Sequence, residues 1–118
     1  MTQVALTDAS GNAISQSNPL PMASANPSAV VSFQIKIAVT NTAQQLPSNA
    51  LVNGAVVKAK TTNAANGWIG SSTVNSTDDG TGTGYRLLPG EAGSFAATNS
   101  NALWVIGTAN DVYYVIGN

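Results

Sequence analysis

Residues 32–39 read Ser32-Phe33-Gln34-Ile35-Lys36-Ile37-Ala38-Val39. Phe33, Ile35, Ile37 and Val39 occupy one parity, and Ser32, Gln34, Lys36 and Ala38 the other. Successive side chains of a strand point to opposite faces, so a period of two gives one apolar and one polar face. That is the pattern of a half-buried strand. The theme recurs outward from here. After a polar loop over 41–53, Gly54-Ala55-Val56-Val57-Lys58-Ala59-Lys60 predicts a second strand. Trp68-Ile69-Gly70-Ser71 predicts a third, beyond a turn at 63–67. Tyr85-Arg86-Leu87-Leu88 and the stretch 92–97 predict two more, separated by the turn Pro89-Gly90. The Ser, Thr, Asp and Gly residues of 75–84 predict a flexible tip. No segment carries a helical period. Short strands parted by Gly, Asn and Pro turns predict an all-β domain over residues 31–118, a small sandwich or barrel of short antiparallel strands.

The last stretch is the most apolar. Leu103-Trp104-Val105-Ile106 and Val112-Tyr113-Tyr114-Val115-Ile116 flank a turn at Ala109-Asn110-Asp111. Both strands are apolar on both faces. One face serves the domain's core; the other needs a second layer or another subunit. Trp104 and Ile106 share one parity, and Leu103 and Val105 the other. Trp104, Ile106, Tyr113 and Val115 are the interface candidates from this hairpin.

Residues 1–30 differ in character. Pro19, Pro21 and Pro27 punctuate a stretch with few apolar residues. Proline fixes its own φ and biases the preceding residue toward extended structure. Asn18-Pro19-Leu20-Pro21 is therefore an extended strip that no helix accommodates. The segment is either a disordered tail or an ordered N-terminal arm that needs a partner surface. The arm is the expectation, with Leu20 and Met22 as its anchoring side chains.

Composition narrows the function classes. The chain of 118 residues has no histidine and no cysteine, four Lys+Arg and five Asp+Glu. Histidine and thiolates carry much of the acid–base and nucleophilic chemistry of proteins near neutral pH. Their absence also excludes a disulfide framework and thiolate zinc sites. The four cations, Lys36, Lys58, Lys60 and Arg86, are too few to track a phosphate backbone, so no nucleic-acid partner is expected. No apolar run approaches a membrane span. Met1-Thr2-Gln3-Val4 lacks the basic start of a signal peptide, which predicts synthesis in a cytoplasm. The core of so small a domain is modest, and oligomerisation is the simplest supplement.

The motifs point the same way. Gly80-Thr81-Gly82-Thr83-Gly84 has neither the spacing nor the following helix of a nucleotide loop. Asn75, Thr77, Asp79 and Gly80 match the early positions of a calcium loop, but its closing glutamate is replaced by Arg86. No metal or other cofactor is expected. Glu91 is the single glutamate, and nothing in the sequence pairs it with Asp79 or Asp111 as a glycosidase requires. No enzymatic activity is expected. Asn75-Ser76-Thr77 matches a glycosylation sequon, which counts for little without a secretory signal. Trp68, Trp104 and the tyrosines are residue types that stack on sugars, although aromatics on short strands more often anchor cores and interfaces.

Several phrases, taken in order, carry a resemblance: Asp8-Ala-Ser-Gly-Asn-Ala-Ile-Ser-Gln-Ser-Asn-Pro-Leu-Pro21, Gln45-Leu-Pro-Ser-Asn-Ala-Leu-Val-Asn-Gly-Ala-Val-Val-Lys-Ala59, Asn66-Gly-Trp-Ile-Gly-Ser71, Tyr85-Arg-Leu-Leu-Pro-Gly-Glu91 and Asn101-Ala-Leu-Trp-Val-Ile-Gly107. The series resembles small accessory virion proteins of tailed bacteriophages. The resemblance implies a structural protein of the virion, first of all a capsid decoration (cement) protein on the outer capsid surface. It also implies a homo-oligomer, a trimer by preference, with the major capsid protein or another virion protein as partner. The alternatives are a neck, collar or fibre component, or a carbohydrate-binding module for a host glycan.

Overall fold

A computed structural model of the chain describes residues 29–118. The expected arm over 1–30, with Leu20 and Met22, lies outside the described residues except for Ala29 and Val30.

The alternation at Phe33 forms β1 (Val31–Lys36), with Ile35 and Ile37 buried and Ser32, Gln34 and Lys36 exposed. Seven strands follow: β2 (Gln44–Gln45), β3 (Ala55–Ala59), β4 (Gly67–Gly70), β5 (Tyr85–Leu87), β6 (Ala92–Phe95), β7 (Trp104–Ile106) and β8 (Val112–Gly117). A 3-10 turn, Ser100–Ala102, precedes β7. The all-β expectation holds, with two antiparallel sheets of four strands.

The pairing scheme is that of one long hairpin: β1 pairs with β8, β2 with β7, β3 with β6, and β4 with β5. Rolling that hairpin adds two contacts, β3 with β8 and β4 with β7. The resulting orders, β1-β8-β3-β6 and β2-β7-β4-β5, make a double-sheet jelly roll.

The core lies between the sheets. Ile35, Val57, Ala59, Tyr113 and Val115 come from the first sheet, and Ile69, Leu87, Leu103 and Val105 from the second. Leu46 and Leu51 join them from the β2–β3 loop. Val57 and Val105 are fully buried, each stabilising the fold by about 2 kcal/mol relative to exposure. Two glycines make room for the largest buried side chain: Gly67 and Gly107 both border the Tyr113 hydroxyl.

β1 ends earlier than the period of two suggests. Ile37 donates to the Asp111 carbonyl and accepts from the Asn110 amide, so the chain is captured by the β7–β8 turn. Beyond it Asn41 takes φ 57, and Val39 is exposed.

Residues 71–84 are not a free tip. The Asn75 side chain accepts from the Thr77 and Thr83 amides, and the Thr83 hydroxyl donates to the Thr73 carbonyl. Val74 packs over Gly70, and Gly84 lies against Cβ of Trp68. The loop thus folds over the outer face of β4.

Candidate interaction surface

Strand parity divides the first sheet into an inner face, in the core, and an outer face. The register of β1, β8, β3 and β6 orders the outer face into cross-strand rows. One row is Lys36, Val112 and Lys60; the next is Gln34, Tyr114 and Lys58; the third is Ser32, Ile116, Val56 and Ser94. Three of the chain's four cationic residues therefore sit toward one end of this face. The other end is apolar. Ile116 is 53% exposed, Val56 37% and Val30, just before β1, 66%.

The apolar end carries a groove of about 580 Å³ bordered by Val30, Val56, Phe95, Ile116 and Asn118. Gly54 and Gly117 also line it. Gly54 adopts φ 85, and a Cβ on Gly117 would collide with the Gly54 carbonyl. Both positions thus exclude larger residues, the first by conformation and the second by space.

The residues expected at an interface divide between the layers. Leu20 and Met22 are outside the described residues. Tyr113 and Val115 are corrected by the register: they are 1% and 3% exposed and face the core, opposite Ile35 and Phe33. The open side of β8 belongs instead to Tyr114 and Ile116. On β7 the expected sharing of environments holds, with Leu103 and Val105 in the core and Trp104 and Ile106 on the opposite face. That face has cover from its own chain. Ile106 is 6% exposed opposite Trp68, and the 71–84 loop closes over the neighbouring strand. Trp104 stays half-buried beside it. Tyr113 and Val115 were indistinguishable from Tyr114 and Ile116 by sequence, because both parities of β8 are apolar. The pairing of Ser32 and Val56 with Ile116 is what assigns them.

The described carboxylates hold turns. Asp111 is buried and accepts from the amides of Ala64 (2.8 Å) and Ala65 (3.2 Å). Asn63 brackets the same junction, donating to the Val112 carbonyl and accepting from the Val112 amide. Together they clamp the β3–β4 turn to the start of β8. Glu91 accepts from the Leu88 amide across the Pro89-Gly90 turn. Asp78 pairs with Arg86 at 2.7 Å, so the residue at the calcium loop's closing position occupies one of its carboxylates. Asp79 is held below the usual carboxylate range by the hydroxyl and amide of Thr81. Among the described residues no three of His, Cys, Asp and Glu gather in one place.

The exposed aromatics do not form a row. Tyr85, on β5 of the second sheet, is 61% exposed and meets Phe95 edge-on at the side of the sandwich. Tyr114 is on the outer face of the first sheet. No helix among the described residues is long and apolar enough to cross a membrane.

No family model matches the chain, and no curated protein matches it. Among solved structures it is similar to a chain described under the heading "Bacillus endospore appendages form a novel family of disulfide-linked pili", with 15% identity over 86% of this chain and 98% of that one. The TM-score is 0.34, a likeness too distant to bear on fold or function.

Proposed function

We propose that this chain is a structural protein of a tailed-phage virion, most simply a capsid decoration protein, that assembles as a homotrimer and docks through the outer face of its first sheet. The observation that carries the reading is the uneven treatment of the two outer faces. On the second sheet the chain's own 71–84 loop lies over Trp68 and Gly70. On the first sheet Val30, Val56, Tyr114 and Ile116 remain exposed beside three lysines. A face that joins an apolar end to a cationic end suits a protein partner with apolar and acidic patches. The resemblance of the ordered sequence phrases to phage accessory proteins supplies the setting. Jelly rolls also build viral capsid domains, which is an analogy of fold.

The same fold builds lectins, and a glycan reader is the second reading. It requires aromatic rings aligned on one surface, whereas Tyr85 and Tyr114 lie on different sheets. Mass spectrometry of purified virions of the encoding phage tests the proposal. The chain is expected in a fixed ratio to the major capsid protein. Its absence from the particles, or selective binding to a glycan array, would count against it.

A further inference from the structure

We infer that the open edge of β6, on one side of the groove at the end of the first sheet, takes residues 18–22 of a second copy of this chain as an extra strand. The inference rests on the self-assembly part of the proposed function and names the contact that drives it.

β6 is an edge. Among the described residues it pairs only with β3. In an antiparallel ladder every second residue turns its N–H and C=O away from the partner, so β6 presents unpaired backbone on its other side. Ser94, Phe95 and Ala96 form that wall of the groove, with Val56 and Ile116 beside them.

The segment Asn18-Pro19-Leu20-Pro21-Met22 has the donor pattern an added edge strand needs. In a strand, the N–H and C=O of one residue point to the same side, and those of the next to the opposite side. Leu20 and Met22 therefore offer their donors and acceptors to one side. Pro19 and Pro21, which lack N–H groups, fall on the other. Such a strip pairs with one neighbour and blocks a further one, which is where proline is tolerated in a sheet. Leu20 and Met22 also share a side-chain face. That face is the outer one, beside Ser94, with Val56 the next apolar side chain across β6.

A second copy fits better than the same chain. β1 begins at the groove end of the sheet and β6 finishes there, so a strip leading directly into Val30 would have to run parallel to β6, the weaker pairing. It would also lie four strand spacings from β1, about 19 Å. Residues 23–29 are the only link; such a segment averages about 15 Å and reaches about 24 Å when taut. A strip from another copy has neither restriction and can pair antiparallel.

Cysteine crosslinking tests this directly, because the chain has no cysteine of its own. Full-length Met22→Cys and full-length Ser94→Cys or Ala96→Cys, with different affinity tags, are mixed and oxidised. Cross-strand neighbours lie within disulfide reach. The expected product is a disulfide between the two differently tagged chains, absent when Gln34→Cys on the far side of the sheet replaces the β6 variant. No crosslink above that control overturns the inference. So does a Met22→Cys/Ser94→Cys double variant that closes only within one chain. An oligomer that forms without the crosslink sinks this contact and leaves the assembly reading standing; a monomer by light scattering sinks both.

Discussion

Gly67 on β4 faces Tyr113 on β8 so closely that a Cβ at position 67 would fall on the tyrosine hydroxyl and stand 2.6 Å from its Cζ. The two residues belong to different sheets. Their contact therefore sets the spacing of the sandwich at its largest buried side chain. Gly67→Ala should destabilise the fold by about 2–3 kcal/mol, because the methyl group must displace a ring buried in the core. Urea unfolding checks this: a lower midpoint with an unchanged slope is expected, and an unchanged midpoint would contradict it.

The same burial makes stability sensitive to alkaline pH. Burial, with the charge of Asp111, pushes the Tyr113 phenol up to about 12 from an ordinary 10. Between those values the unfolded chain loses its proton and the folded chain keeps it. Stability is thus complete below about pH 10 and declines as pH rises toward 12, by on the order of 3 kcal/mol. Tyr113→Phe should flatten this decline in unfolding curves taken at successive pH values. An identical decline in Tyr113→Phe would show that another group titrates.

Asp111 is legible as a turn residue in the sequence, but its partners are not. Its carboxylate satisfies two amides of a turn almost fifty positions earlier in the chain. Hydrogen bonds to charged groups contribute about 1.5–3 kcal/mol each. Asp111→Ala should lower stability by on the order of 3 kcal/mol, and loosen the β3–β4 turn as seen by faster amide exchange at Ala64 and Ala65. Exchange at those amides equal to that of the parent protein would contradict the clamp.

Local periodicity carried the strands and missed the long-range packing. Phe33, Ile35 and Ile37 announced β1 because every second residue is apolar. Gln44 and Gln45 announced nothing: β2 is two polar residues placed on an edge by pairing with Trp104 and Val105. Residues 75–84 have the composition of a mobile tip, yet Asn75 and Thr83 tie the loop to itself, and Val74 and Gly84 set it against Gly70 and Trp68 of β4. That loop supplies cover to the second sheet, where the sequence alone calls for a second layer or another subunit. On β8 the two parities are equally apolar, so only the register with β1 and β3 separates buried Tyr113 and Val115 from exposed Tyr114 and Ile116.

Ile116 separates assembly from stability. It is exposed on the outer face and pairs across strands with Val56. Ile116→Asp should change unfolding stability by no more than about 0.5 kcal/mol, as for other surface substitutions, and yet shift the protein toward smaller species in sedimentation velocity. A large loss of stability without a change in size would place Ile116 in the fold's own packing.

The mass of the full-length protein in solution at micromolar concentration, measured by multi-angle light scattering, tests the central claim most directly. The account predicts a closed oligomer, a trimer of about 36 kDa built from chains of 11.9 kDa. A folded species of 11.9 kDa that persists as concentration rises would contradict it.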